Sequence, residues 1–212
     1  HPDEDRHPPG QDQIFEAVIG AEILADLRHR SCRPGGRVAC QVSDDAVTFR
    51  SHLDGSAHTL TPELAVAVQE ALGSDVRMAL DECVDYPAGR EEVEEAVRRT
   101  TLWATRSLEA RTFDGGGMFG IVQGGMFPDL RRRSVEEICA LPFQGFAIGG
   151  VSVGEGVERQ RETVAGTAPM LPASMPRYLM GVGTPADILF AISRGVDLFD
   201  CVLPTRNARN GM

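Results

Sequence analysis

Residues 120–150, GIVQGGMFPDLRRRSVEEICALPFQGFAIGG, contain the pattern that decides the fold. A short apolar run at 120–122 is followed by glycines, then by a longer amphipathic stretch, and a second apolar run at 146–148 ends in two more glycines. Short, nearly continuous apolar runs are typical of strands that are covered on both faces. The segment therefore predicts two such strands with a helix between them, which is the repeating unit of an α/β fold.

The same alternation extends along the chain on both sides of this unit. Further apolar runs predict strands at 76–80, 178–180 and 196–199. Five short strands with intervening helices suit either a doubly wound sheet or part of a (β/α)8 barrel. A complete barrel typically takes about 250 residues. The chain has 212, some of them in long loops, so it has room for only part of a barrel.

Local signals mark where the helices begin and end. Thr61 and Thr184 each supply an N-cap hydroxyl before a proline, and Gly73 and Gly195 mark the ends of these two helices. The buried stripe predicted for the second of them consists of Ile188, Leu189 and Ile192. A longer helix is predicted at 91–110, with one apolar face made of Val93, Val97, Trp103 and Leu108.

Composition and charge exclude several classes of protein. The chain is 42% hydrophobic and 25% charged, as in ordinary globular domains. All 21 basic residues are arginine, and 31 carboxylates leave a net charge of −10, which argues against broad, non-specific binding of nucleic acid. Five widely spaced cysteines predict reduced thiols. No apolar run has the length of a membrane span and no signal-peptide pattern occurs, which predicts a cytoplasmic protein without membrane contact.

Polar residues and glycines follow the predicted strands. Asp81 follows the first strand, Gln123 the second and Asp200 the last, and pairs of glycines follow the middle strands. In parallel α/β architectures, functional groups gather at the carboxyl ends of the strands. Carboxylate and amide groups hydrogen-bond the edge of a planar heterocycle, and glycines let the backbone approach a flat ligand closely. This set of residues predicts a nucleobase pocket.

Each candidate residue also has a structural interpretation. Asp200 is predicted to project into a partly desolvated pocket, where a carboxylate is able to attack an anomeric carbon, but its spacing alone favours capping of the following loop. Asp81 is a candidate for base binding or an ordinary loop carboxylate. Cys83 and Met180 are candidates for ligand contact or for simple packing.

Three charged residues leave similar alternatives open. Glu82 suits a salt bridge. Arg206 and Arg209 are candidates for binding the phosphates on either side of an extruded base, or they lie in an ordinary solvated loop.

Six segments point to one known family when they are taken together in chain order. They are 49–56 (FRSHLDGS), 80–83 (LDEC), 119–125 (FGIVQGG), 148–150 (IGG), 178–183 (YLMGVG) and 199–211 (FDCVLPTRNARNG). In this order and spacing they resemble the tRNA-guanine transglycosylase family. The resemblance runs from about Val47 to Gly211, which is most of the chain.

The resemblance implies a (β/α)8 TIM barrel that exchanges guanine at the anticodon wobble position of tRNA for a 7-deazaguanine, in queuosine biosynthesis. It implies that Asp200 is the nucleophile and forms a covalent bond to ribose. The base-binding residues that it implies are Asp81, Gln123 and Gly150, with Cys83, Gly149 and Met180 lining the same pocket. The residues that it implies for the anticodon loop are Arg206 and Arg209. The Asp-Glu-Cys sequence at 81–83 and the valine at 153 resemble the bacterial members of the family, which use the aminomethyl base preQ1. The resemblance also implies a homodimer.

Two features of the family are not found in this sequence. Its motif with the general-base aspartate has no counterpart at 36–45, and its zinc ligands, three cysteines and a histidine beyond the nucleophile motif, are not present, so no metal site is predicted here. The prediction is thus an incomplete barrel that lacks the family's first strands and its zinc subdomain. It comprises an atypical, partly disordered segment at 1–45 and a partial transglycosylase barrel at 46–212. The alternative function is a non-catalytic tRNA-binding or dimerisation partner of an active transglycosylase.

Overall fold

The computed structural model describes residues 40–51, 55–112 and 115–211, which form an antiparallel and a parallel sheet with connecting helices. The strands are β1 (Gln41–Val42), β2 (Val47–Arg50), β3 (Ala57–Leu60), β4 (Val76–Met78), β5 (Gly117–Val122), β6 (Gly145–Ile148), β7 (Arg177–Leu179) and β8 (Leu198–Phe199). The helices are α1 (Pro62–Ala71), α2 (Arg90–Ala110), α3 (Pro128–Cys139), α4 (Val157–Thr167), α5 (Pro185–Ile192) and α6 (Leu203–Arg209). Most of the predicted N-terminal segment, residues 1–39, lies outside the described residues.

The parallel sheet has its strands in chain order, β4-β5-β6-β7-β8. Every neighbouring pair is parallel, and a helix connects each strand to the next. A doubly wound sheet reverses its strand order at a switch point, whereas a (β/α)8 barrel continues in one direction. The described part of the chain is therefore an α/β fold with a curled, half-barrel sheet, and the doubly wound alternative is wrong.

The two faces of this sheet carry different residues because side chains alternate along a strand. The face against the helices carries the large apolar core, including Met118, Val122, Phe146, Ile148 and Leu179. The opposite face has a smaller cluster of Ile121, Ala147 and Met180, with Met78 and Tyr178 packed against it. Both faces of the central strands are covered, which explains their continuous apolar character.

An antiparallel sheet that the sequence analysis did not predict packs against α2. Strand β2 pairs with β1 on one side and with β3 on the other. Trp103, which is fully buried, packs among apolar residues of this sheet, and its indole N–H donates to the backbone carbonyl of Asp44 at 2.8 Å. The Arg106 side chain donates to the carbonyls of Asp44 and Asp45 and pairs with Glu63 at the start of α1. Helix α2 thereby joins the two sheets.

The predicted stripe of α5 is wrong, although its N-cap is confirmed. The Thr184 hydroxyl accepts from the backbone N–H of Asp187 at 3.2 Å. Leu189 and Ile192, however, are 69% and 52% exposed, and the residues that α5 buries are Asp187 and Ala191. The Asp187 carboxylate turns inward because it accepts hydrogen bonds from the Thr184 hydroxyl and from the Arg161 guanidinium of α4. No helix in the described ranges has the length and apolar character of a membrane span.

Candidate active site

The carboxyl ends of β4, β5 and β6 bring four of the predicted positions into contact. The Gln123 side-chain amide donates to Asp81 Oδ2 at 2.7 Å, so its nitrogen faces the carboxylate and its oxygen faces away from it. Gln123 is 1% exposed, and its backbone N–H donates to the Ser134 hydroxyl of α3 at 3.0 Å. Its Oε1 atom is buried and has no hydrogen-bond partner among the described residues. An unsatisfied buried acceptor costs about 1–3 kcal/mol, and a ligand N–H would satisfy this one.

The turn after β6 fits closely over this amide because it consists of glycines. A Cβ added to Gly149 would lie 2.5 Å from Gln123 Nε2, and one added to Gly150 would overlap Gln123 Oε1. Gly150 also has a φ of +63°, which disfavours other residues. Any side chain at these two positions would push the Gln123 amide out of place.

Helix α2 fixes the segment that carries Asp81. Strand β4 ends at Met78, and two backbone N–H groups beyond it donate to side-chain hydroxyls of α2. Leu80 donates to Ser107 at 3.4 Å, and Glu82 donates to Thr100 at 3.0 Å. The Glu82 carboxylate also pairs with Arg99 of the same helix, which confirms the predicted salt bridge. Burial raises the pKa of Glu82, and the Arg99 guanidinium opposes this shift. Asp81 is thus held between two anchored neighbours.

Arg131 is a site residue that the sequence analysis missed. It lies on α3, and its guanidinium is fully buried beneath the turns that follow β5 and β6. It donates to four backbone carbonyls, those of Val122 at 3.2 Å, Gly125 at 2.9 Å, Gly149 at 2.6 Å and Gly150 at 3.0 Å. Burial lowers the pKa of Arg131 to about 10, which leaves it charged at neutral pH. Val135 and Ile138 lie four and seven residues after Arg131 and are also buried. This helical spacing is the sequence signal that could have placed Arg131 on the buried face of α3.

Asp200 lies at the same edge of the sheet, directly after β8. Its Oδ1 atom accepts two hydrogen bonds, from the Tyr178 hydroxyl at 2.6 Å and from the backbone N–H of Gly181 at 2.7 Å. The predicted partial desolvation is wrong, because Asp200 is exposed after a strand that pairs only with β7 among the described residues. Tyr178 was also missed. It lies two residues before Met180, and the alternation of side chains along β7 places both on one face.

The remaining predicted positions differ in their exposure. Met180 is 8% exposed and packs with Ile121 and Ala147 on the inner face of the sheet. Cys83 is exposed, which excludes its interpretation as core packing. Arg206 and Arg209 are exposed and lie one turn apart on α6, the helix that begins three residues after Asp200.

A cavity of about 280 Å³ opens beside Gly150. Its other walls include the segment at 84–88, the turn at 125–127 and Val153. The Arg159 guanidinium, which also lines it, lies over the Tyr86 ring, 5.5 Å from the ring centroid. The glycine turn over Gln123 therefore has open space on another side, with mixed apolar and cationic walls.

The described residues do not fit a zinc site. No group of three or more histidine, cysteine, aspartate or glutamate side chains is arranged to hold a metal ion within 40–51, 55–112 and 115–211.

Comparison with known proteins identifies the family. The model of the queuine tRNA-ribosyltransferase family matches residues 20–212. Proteins of that name from Moorella thermoacetica, Oleidesulfovibrio alaskensis and Pelotomaculum thermopropionicum are 56%, 54% and 54% identical over 188, 173 and 171 residues. These alignments cover 89%, 81% and 81% of this chain and 47%, 46% and 46% of the relatives, so the chain spans about half their length. The family match begins before the first quoted motif and includes all of the strand-end residues described above. The chain therefore belongs to the queuine tRNA-ribosyltransferase family.

Proposed function

We propose that this chain carries the base-exchange site of a tRNA-guanine transglycosylase, which replaces guanine with preQ1 at the anticodon wobble position of tRNA. The observation that carries the proposal is the buried Gln123 amide, bonded to Asp81 beneath a glycine turn, at the edge of the sheet where Asp200 also lies. Membership of the family supports the same reaction.

The hydrogen-bonding groups at this edge suit the edge of a guanine-like base. Such an edge presents ring and exocyclic N–H donors beside a carbonyl acceptor. The Asp81 carboxylate is a hydrogen-bond acceptor, so it would pair with the N–H donors of the base. The Gln123 amide contributes both a donor and the unsatisfied acceptor Oε1. The glycines at 149 and 150 let the ring approach the backbone, and Met180 supplies an apolar contact. A base extruded from the anticodon loop would be read at this edge.

Asp200 would carry the covalent step. Both hydrogen bonds from Tyr178 and Gly181 go to Oδ1, so Oδ2 is the oxygen that attacks the ribose C1′ atom. The C1′–N9 bond breaks through an oxocarbenium-like transition state, its electron pair goes to N9, and the departing guanine takes up a proton. N9 of preQ1 then loses a proton and attacks C1′, which releases the Asp200 carboxylate. One proton is taken up and one is lost, so the exchange is balanced.

Other parts of the proposal rest on the family resemblance. Arg206 and Arg209 would contact phosphates of the anticodon loop, which confines RNA binding to a local site on an acidic protein. We also propose that the family's zinc ligands and first barrel strands lie outside residues 40–211. We further propose that the enzyme is cytoplasmic and acts as a homodimer.

One experiment tests the reaction and separates it from the alternative. The protein is incubated with an anticodon-bearing tRNA and labelled guanine, and label in the RNA is measured together with a denaturant-resistant RNA adduct. Both signals are expected, and both are expected to disappear in Asp200→Asn, which keeps the shape and removes the charge. Binding of tRNA without either signal would overturn the proposal in favour of a non-catalytic partner. Exchange that survives in Asp200→Asn would refute the role of that residue.

A further inference from the structure

Arg131 is costly for stability where it lies. Its guanidinium is fully buried and has no ion-pair partner among the described residues, only neutral backbone carbonyls. Burying a charge without a counter-charge is unfavourable, and apolar side chains of similar volume often stabilise such positions. Burial also shifts the pKa of Arg131 downward, and the negative charges of Cys83 and Glu155 oppose this shift only in part.

The four carbonyls belong to the backbone around the proposed base pocket. Val122 is the last residue of β5 and Gly125 lies two residues beyond Gln123, while Gly149 and Gly150 form the turn after β6. The β5–β6 strand pairing ends at Val122 and Ile148, and just beyond it the Gly149 N–H donates to the Val122 carbonyl at 3.0 Å. The Arg131 guanidinium, a rigid and planar group with five N–H donors, extends this link by bonding carbonyls of both segments as far as Gly125 and Gly150.

We infer that Arg131 is a positioning residue of the base-binding site, which holds the turns after β5 and β6 at the separation that lets the Gln123 amide lie against Gly149 and Gly150. This inference rests on the proposed function of the site. A Cβ at Gly150 would be 3.0 Å from Arg131 Nη2, so guanidinium, turn and amide are in direct contact. A displacement of the guanidinium would change the shape of the pocket without touching the Asp200 end of the sheet.

A second buried arginine provides a matched control. Arg77 on β4 is 0% exposed, pairs with Glu70 and donates to the carbonyl of Gly115, which precedes β5. It thus lies toward the amino end of the same sheet. Both arginines are buried and both bond backbone carbonyls, but of the two Arg131 alone contacts the backbone of the base pocket.

The test uses the intact gene product with Arg131→Lys, Arg131→Met, Arg77→Lys and Arg77→Met. Lysine keeps the charge and loses the planar fork, so Arg131→Lys is expected to fold and to raise the KM for guanine on the order of 10- to 100-fold, because small misplacements at a site cost that much. The KM for tRNA should change less than about 2-fold. Urea unfolding is measured for all four variants. The Arg77 variants should lose stability and keep the wild-type KM for guanine.

The outcomes separate the inference from the proposed function. A fall in kcat alone, in proportion to the folded fraction and with both KM values unchanged, would show that Arg131 is only structural. The same rise in the KM for guanine in Arg77→Lys would also overturn the inference, since the effect would then follow from general loss of stability. If the wild-type protein exchanges no guanine, the proposed function itself is wrong. If it exchanges guanine and Arg131→Lys keeps the wild-type KM, only the inference is wrong.

Discussion

Replacing Gly150 with alanine tests the fit of the glycine turn over the Gln123 amide. The backbone at Gly150 has a φ of +63°, and alanine in that conformation costs about 1–2 kcal/mol. The new Cβ would also overlap Gln123 Oε1, so the amide must move away from Asp81, and loss of a hydrogen bond to a charged group costs about 1.5–3 kcal/mol. The expected loss in unfolding free energy is therefore about 2.5–5 kcal/mol, with a rise in the KM for guanine of about 10-fold.

Gly73, which follows α1, separates the two contributions. Its φ is +68°, and a Cβ added there meets no atom within 4 Å. Gly73→Ala should therefore lose only the backbone contribution, about 1–2 kcal/mol, and should keep the wild-type KM for guanine. Urea unfolding and guanine exchange of both variants measure the difference. Equal stability losses with an unchanged KM in both would refute the reasoning, because the overlap with Gln123 would then have no consequence.

Three further predictions concern the nucleophile, a surface ion pair and RNA binding. Tyr178→Phe removes a donor to the nucleophilic carboxylate and should slow formation of the RNA adduct about 10-fold in single-turnover assays, while an unchanged rate would exclude a role for the hydroxyl. The hydrogen bond from Arg106 lowers the pKa of Glu63 to about 2, so this pair stabilises the fold above the unfolded-state value of 4.5 and the stabilisation is lost as the pH falls toward 2. Glu63→Gln should therefore cost about 0.5–1 kcal/mol at pH 7 in urea unfolding, with wild type and variant converging in acid. Replacing Arg206 and Arg209 with alanine should weaken tRNA binding and reduce its salt dependence by about one phosphate contact each, whereas a change in the KM for guanine would place them in the base site instead.

The strand positions were predictable because central strands of a half-barrel are apolar on both faces. The runs at 120–122 and 146–148 fall inside β5 (Gly117–Val122) and β6 (Gly145–Ile148). The cap at Thr184 was predictable for a similar reason, since the signal is local to a few residues. The resemblance of the motifs to a known family predicted which strand ends carry the candidate site.

Features that depend on partners distant in sequence were not predictable. Leu189 reads as a core residue, yet the inward position of α5 is taken by Asp187, whose partner Arg161 lies on another helix. The antiparallel sheet was missed because β1 has only two residues and its packing partner, Trp103, is about 60 positions away.

The three consecutive arginines at 131–133 show the same limit. Their residue type does not distinguish one from another, and Arg133 pairs with Glu137 on the surface of α3. Arg131 is buried instead, because the carbonyls that satisfy it belong to two turns brought together only by the folded sheet. Its helical spacing from Val135 and Ile138 marks the buried face of α3, but the acceptors of its N–H groups are known only from the folded structure.

The placement of β8 (Leu198–Phe199) has a consequence for local opening. This two-residue strand is hydrogen-bonded on one side only in the described structure, whereas β5 and β6 are paired on both sides and packed on both faces. We expect backbone amides of β5 and β6 to exchange with solvent deuterium only through global unfolding, and those around β8 to exchange through small, frequent fluctuations. The carboxylate that is proposed to bond to ribose would then move on a faster timescale than the pocket that holds the base.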